Sequence, residues 1–296
     1  MKSMWVIVGS VLTLVGLVAL WLHYFYRSAQ QQQQQQLRRR SKGRYASVPL
    51  SEPQSINGRA AAAAEPALAI SLVNPPFGDA HMFTLFWLHG LGDTADGWRD
   101  GVSAFQLRRT RVVLPTAPVR PVTINGGMAM NAWFDIAGLT IGAREDVAGI
   151  EEACAALGAL VRKEIAAGTP AARIAVGGFS QGGAVALHTV FVEGFLDVKI
   201  GAVVGLSAWL PRGAQILRGG RNVPKMSIVN AGTAIFMGHG EHDPMVQVQF
   251  GELSAKILKG GGAPTTWKTY SCQHTTCARE MSDVGKFLRE HLLTTD

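Results

Sequence analysis

The stretch from Arg173 to Val185 constrains this chain most. It reads Arg-Ile-Ala-Val-Gly-Gly-Phe-Ser-Gln-Gly-Gly-Ala-Val. Ile174, Ala175 and Val176 form a short apolar run that fits a buried strand, and Ala184, Val185, Ala186, Leu187 and Val190 open an apolar helix. Between them lies Gly178-Phe179-Ser180-Gln181-Gly182. A G-x-S-x-G run joining a strand to a helix is the setting of a nucleophile elbow. A serine hydroxyl is a weak nucleophile, so it is presented at a sharp turn, where side chains at Gly178 and Gly182 would collide with neighbouring backbone. The helix that follows aims its first N–H groups at the reacting centre.

Such an elbow needs a sheet to stand in, and the rest of the chain supplies one. Phe83–Leu88 is a second buried-strand pattern, running into His89-Gly90-Leu91-Gly92-Asp93. Val112–Leu114 is another, with Pro115 and Pro118 expected to stop it. Glu145–Ala166 has helical spacing, with Val147, Ile150, Cys154, Leu157, Val161 and Ile165 on its apolar side. Further strands are expected at Ala202–Leu206, Ile235–Gly238 and Thr265–Tyr270, with helices at Gln247–Leu258 and Arg279–Leu293. Strands alternating with helices predict an α/β fold, a mainly parallel sheet with helices on both faces. Ligands of such sheets bind beyond the carboxyl ends of the strands. His89, Ser180, Asp243 and His274 all fall just after expected strands, so one edge of the sheet can gather them.

A serine nucleophile needs a base, and the base needs an orienting acid. On this elbow the chain order is serine, then acid, then histidine. His274, in the loop after Thr265–Tyr270, is the expected base. His291 lies within the last helix. Asp243 follows a strand directly and is preferred to its rival Glu241, because Pro244 fixes the turn behind it. Two N–H groups must hold the oxyanion. One is expected from Gln181 and one from Leu91 in the loop after the first strand, with His89 bracing that loop. Cys272-x-His274-x-x-Cys277 has no second ligand pair in the sequence, so no metal site is expected.

The amino-terminal quarter is different. Trp5 to Phe25 carries no Asp, Glu, Lys or Arg and is long enough to cross a bilayer. Aromatic residues sit at both its ends, and Arg27 stands where a cleaved leader would be cut. Residues 1–27 are therefore expected to form a retained, single-pass membrane anchor. The basic cluster Arg38–Arg40, Lys42 and Arg44 after the span places the body in the cytosol by the positive-inside rule. Residues 28–73, with a glutamine run at Gln30–Gln36 and alanines at Ala60–Ala64, read as a disordered linker. Residues 74–296 are the expected catalytic domain. The net charge of +7 belongs to this tail. Without the seven basic residues of the first 45, the chain has 21 basic and 21 acidic side chains, which excludes a nucleic-acid-binding body. Three cysteines are too few for a disulfide framework and fit a reducing compartment.

Six segments, in order, resemble the acyl-protein thioesterase family, the phospholipase/carboxylesterase group of α/β-hydrolases. They are Phe86–Trp98, Pro115–Thr123, Met128–Leu139, Gly177–Gly183, Ser207–Pro211 and His239–Val246. The resemblance runs from about residue 80 to 293. It implies an α/β-hydrolase fold, with Ser180 as nucleophile, Asp243 as orienting acid, His274 as base, and Leu91 and Gln181 as oxyanion donors. Trp133 and Trp209 match family aromatics near the substrate. The implied activity is hydrolysis of fatty acyl thioesters on S-acylated cysteines of membrane proteins, with no cofactor. Lysophospholipid or other ester hydrolysis uses the same parts, and an inactive anchored scaffold is opposed by the intact Ser180, Asp243 and His274. This chain departs from the family in its apparent membrane span and glutamine run, and in Glu241-His242, which replaces the commoner Asp-Cys.

Overall fold

The computed structural model describes residues 68–73, 81–140, 143–221 and 223–292. Its centre is a seven-stranded sheet. The strands are β1 (Ala69–Val73), β2 (Phe83–Leu88), β3 (Thr110–Thr116), β6 (Ile174–Phe179), β7 (Ala202–Leu206), β8 (Ala234–Gly240) and β9 (Thr265–Tyr270), in the spatial order β1-β3-β2-β6-β7-β8-β9. β1 is antiparallel to β3 and every other pairing is parallel. A separate hairpin joins β4 (Val119–Val122) to β5 (Met128–Asn131).

All six residues of β2 are buried, because successive side chains enter two different cores. Leu85 and Trp87 pack with Val112, Val204 and Phe236 on one face. Phe86 and Leu88 pack with Val113, Val176, Val203 and Ile235 on the other. The first face is covered by α1 (Arg99–Ser103) and α6 (Ala278–Leu292), through Val102, Val284, Phe287 and Leu288. The second is covered by α2 (Val147–Ala166), α3 (Gln181–Phe191) and α5 (Val248–Gly260), while α4 (Gly213–Arg218) follows the loop after β7. Every residue of α3 is buried, which matches a segment apolar on all sides. Asp146 starts α2 by accepting a hydrogen bond from the Gly149 N–H at 3.1 Å.

Two boundaries differ from the sequence reading. Ala69–Val73, assigned to the linker, forms an edge strand whose order comes from its register with Val112–Thr116. β3 continues through Pro115, which pairs only with Ile70 of β1 because the β2 ladder ends at Val113. A proline without an N–H is tolerated there. The expected span Trp5–Phe25, the glutamine run and most of the linker lie outside the described residues. Among the described residues no helix is long and apolar enough to cross a membrane.

At the end of the sheet away from the elbow, Glu164 is buried near the end of α2. It accepts hydrogen bonds from Thr84 Oγ1 at 2.7 Å and Thr169 Oγ1 at 2.8 Å, and it pairs with Arg111 at the start of β3. Burial works against its charge, but these bonds outweigh burial and hold the carboxyl below its usual range. Its contribution to stability is therefore present at neutral pH and lost as pH falls through the carboxylate range. Glu164→Ala leaves Arg111 and two threonines without their acceptor and is expected to cost about 3 kcal/mol at pH 7. Urea unfolding of variant and parent checks this, with the difference shrinking towards pH 4.

Candidate active site

Ser180 sits between β6 and α3 at φ 53° and ψ −121°, a conformation unfavourable for a side chain-bearing residue. Such backbone costs about 1–3 kcal/mol and persists only where its surroundings fix it. Here the Ser180 N–H donates to the Leu206 carbonyl at 2.8 Å and the Ser180 carbonyl accepts from Ala184 N–H at 3.0 Å. A Cβ on Gly182 would lie 2.4 Å from the Leu88 carbonyl oxygen, and one on Gly178 would lie 2.6 Å from the Gly182 backbone. The two glycines thus let α3 press against the end of β2, and that contact bends the chain at Ser180.

The Ser180 Oγ–H donates to His274 Nε2 at 3.0 Å, and His274 Nδ1–H donates to Asp243 Oδ2 at 2.7 Å. The other Asp243 oxygen accepts the N–H groups of Met245 and Val246, both at 2.9 Å. Burial alone would raise the Asp243 carboxyl. The bond to His274, the attraction of its ring and the two N–H donors overcome burial and hold it below the usual range. Asp243 therefore stays ionised and fixes the proton of His274 on Nδ1, leaving Nε2 free to accept. The Asp243 side chain is fully enclosed, while that of His274 is 19% exposed. Charge is thus held inside and the imidazole opens towards solvent.

The rival residues point elsewhere. Glu241 is exposed and accepts from Thr269 Oγ1 at 3.0 Å. His291 bonds the Phe287 carbonyl within α6. Two supports were not anticipated from sequence. Phe179 packs against His274 with ring centres 4.8 Å apart and planes tilted by 46°. His239, wholly buried in β8, donates from Nε2 to the Val246 carbonyl at 2.7 Å and lies 3.5 Å from Asp243 Oδ2. Burial lowers its pKa, so it braces the Asp243 turn as a neutral ring. The only sequence signal for either residue is adjacency, Phe179 to Ser180 and His239 to the Asp243 loop.

Gln181 is the first residue of α3, so its N–H has no acceptor within the helix. Its side chain accepts from Trp133 N–H at 2.9 Å and donates to the Phe134 carbonyl at 2.7 Å. The loop carrying Leu91 comes up beside it. A Cβ on Gly90 would lie 3.5 Å from Ser180 Cβ, and the Gly92 N–H donates to Asn131 of β5 at 2.8 Å. His89 donates from Nδ1 to the Gly90 carbonyl at 2.7 Å and accepts the Ala117 N–H on Nε2 at 3.0 Å. Burial keeps this ring neutral. Trp133 is 1% exposed and donates from Nε1 to the His89 carbonyl at 2.9 Å. It is placed as a strut behind the loop, enclosed rather than facing a ligand.

Trp209 instead lines a cavity of about 260 Å³, together with Phe134, Leu139, Ala214, Val246 and Phe250. The walls are mainly apolar. The cavity adjoins the site through Val246, whose N–H holds Asp243, and Phe134, whose carbonyl holds Gln181. Among the described residues no three His, Cys, Asp or Glu side chains converge to hold a metal ion, and Cys272, His274 and Cys277 form no such group.

A parallel sheet covered on both faces, with a strained serine between strand and helix and an imidazole and carboxylate at neighbouring strand ends, defines an α/β-hydrolase. Residues 71–292 match the Phospholipase/Carboxylesterase family, and the chain belongs to that family. It is 36% identical over 227 residues to acyl-protein thioesterase 1 of Gibberella zeae, covering 73% of this chain and 94% of that protein. It is 34% identical to acyl-protein thioesterase 1 of Yarrowia lipolytica, over 74% of this chain and 96% of that one. Among solved structures, acyl-protein thioesterase 2 of Zea mays superposes with a TM-score of 0.65 at 31% identity, covering 76% of this chain and all of that chain.

Glu280, third residue of α6, lies directly behind the site. Its carboxylate is pressed against Gly238 of β8, and neither oxygen meets a well-aligned donor. Burial pushes its pKa up from 4.5 to about 7, with the Cys277 N–H near enough only to offset part of this. The folded state therefore holds its proton more tightly than the unfolded chain. The resulting contribution is full below pH 4.5 and is lost as pH rises towards 7, by roughly 3 kcal/mol. In Glu280→Gln this loss is expected to vanish, so the variant gains on the parent as pH rises from 4.5 to 8. Parallel urea titrations across that range read the difference.

Proposed function

We propose that this chain is a membrane-anchored serine hydrolase that removes fatty acyl groups from S-acylated cysteines of proteins. Ser180 attacks the thioester carbonyl while His274 Nε2 accepts its proton. Asp243 orients the imidazole and stabilises its charged form. The backbone N–H groups of Leu91 and Gln181 hold the tetrahedral oxyanion. Collapse of that intermediate expels the cysteine thiolate, which takes the proton from His274 and leaves the imidazole neutral. His274 then draws a proton from water, the hydroxide attacks the acyl carbonyl, and His274 returns that proton to Ser180 Oγ as the fatty acid leaves. No step requires a metal or organic cofactor.

The observation that carries this reading is the run of two hydrogen bonds from Ser180 through His274 to an enclosed, ionised Asp243. The apolar cavity supports a fatty acyl substrate, because its walls offer burial to methylenes at about 0.8 kcal/mol each. The relatives named as acyl-protein thioesterases support the thioester. Residues Trp5–Phe25 anchor the chain and leave the catalytic domain in the cytosol, where membrane-bound acyl proteins present their thioesters. The length and charge-free composition of that segment support the anchor.

The full chain in detergent is expected to hydrolyse an S-palmitoylated peptide. Ser180→Ala is expected to lower kcat by about 10⁴-fold or more, and Asp243→Asn by about 10⁴-fold with binding retained. Turnover of lysophospholipid but not of the acyl peptide would replace the thioester by an oxygen ester. Turnover of neither by folded protein would favour a scaffold. Ala214→Trp fills the cavity and is expected to raise KM for palmitoyl substrates at least tenfold while sparing acetyl esters, as substrate competition would reveal. Full-length protein expressed in cells is expected to stay in the membrane pellet through alkaline carbonate extraction, and deletion of residues 1–27 to release it.

A further inference from the structure

The catalytic reading does not use the two cysteines that bracket His274. Cys272 follows β9 and Cys277 immediately precedes α6, and both are reduced and partly exposed. Across the turn that holds His274 the two sulfurs are near enough for each to influence the other. Cys272 Sγ also donates to the Thr275 carbonyl across the same turn at 3.4 Å. Cys154, the third cysteine, is fully enclosed in the opposite core.

We infer that Cys272 and Cys277 form a dithiol that hydroperoxides oxidise to an intramolecular disulfide, displacing His274 and switching the hydrolase off reversibly. This rests on the reading of His274 as the base. The direction of movement follows from packing. The Cys272–Gln273 backbone is seated against Gly240, where an added Cβ would lie 2.2 Å from the Gln273 oxygen and 2.6 Å from that of Cys272. The Cys272 carbonyl also accepts the His242 N–H at 3.1 Å. At the other end Cys277 is tied to α6, its carbonyl accepting the Met281 N–H at 3.0 Å. Drawing the sulfurs together breaks the bond to Thr275, and the adjustment falls on His274–Thr276.

The chemistry balances in two steps. The Cys277 thiolate attacks the peroxide oxygen, giving a sulfenic acid and, after protonation, an alcohol or water. The Cys272 sulfur then attacks the sulfenic sulfur, its proton leaves with the hydroxide as water, and the S–S bond forms. Burial pushes the Cys272 thiol up to about 11, so it is the poorer first nucleophile and the one that resolves. A dithiol reductant reverses both losses.

Both cysteines fall in one tryptic peptide, Thr269–Arg279. The full chain treated with hydrogen peroxide, then freed of it, is expected to show this peptide about 2 Da lighter and kcat at least tenfold lower. Dithiothreitol should restore both. Cys272→Ser and Cys277→Ser, each with basal activity and serine suiting the start of α6, should form no such disulfide and resist this reversible loss. The proposal is overturned if no disulfide forms, if the disulfide leaves kcat unchanged, or if either serine variant loses activity equally and as reversibly. A disulfide without inhibition in a protein whose His274→Ala variant is still active would bring down the reading of the base, and the proposal with it.

Discussion

The contact on which everything else depends is the close approach of α3 to the end of β2. Gly178 and Gly182 lie so near the Leu88 and His89 carbonyls that no side chain fits between them. That approach forces Ser180 into its strained conformation and leaves the Gln181 N–H at the head of a helix with no acceptor. It also brings the loop of Leu91 beside the serine. The conformation of Ser180 and the acceptor-free Gln181 N–H are thus consequences of one backbone contact between α3 and the end of β2.

A second constraint is electrostatic. Asp243 is buried yet ionised, which is tolerable only because two N–H groups and an imidazole N–H converge on it. These donors lie within three residues of Asp243 or on the neighbouring strand end. Around this charge the structure uses neutral rings. His239 and His89 are each kept uncharged by burial, His89 bonding backbone groups through both nitrogens and His239 through Nε2. Of the three imidazoles beside the site, His274 alone reaches both the serine and the carboxylate. Burial, rather than residue type, separates the ring bonded to Ser180 and Asp243 from the two enclosed ones.

β2 and β7 were legible because residues buried on both faces read as unbroken apolar runs, whereas β9, largely exposed at the sheet edge, was legible from its β-forming Thr, Trp and Tyr residues between two clear helices. The elbow was legible because its glycines answer a local steric demand. The β4–β5 hairpin was not, since Pro121 interrupts its first strand and Val119 and Met128 face outwards. α1 and α4 have five and six residues, too few for a periodic signal, and α4 is held by Arg212 N–H donating to distant Glu145. The cavity was illegible for the same reason at larger scale. Its walls come from residues within 134–140, 143–146, 209–218 and 245–257, and only the fold brings them together. Trp133 and Trp209 look equivalent in sequence, but one is a buried strut and the other lines the cavity.

The covalent intermediate offers the most direct measurement. Full-length protein mixed with a palmitoyl thioester and quenched in acid within milliseconds, then digested and mapped by mass spectrometry, reveals where the acyl group rests during turnover. If the strained serine is the nucleophile, the palmitoyl group appears transiently on the peptide containing Ser180 and decays at the rate of fatty acid release. Turnover with no acyl adduct, or with the acyl group on another side chain, would contradict it.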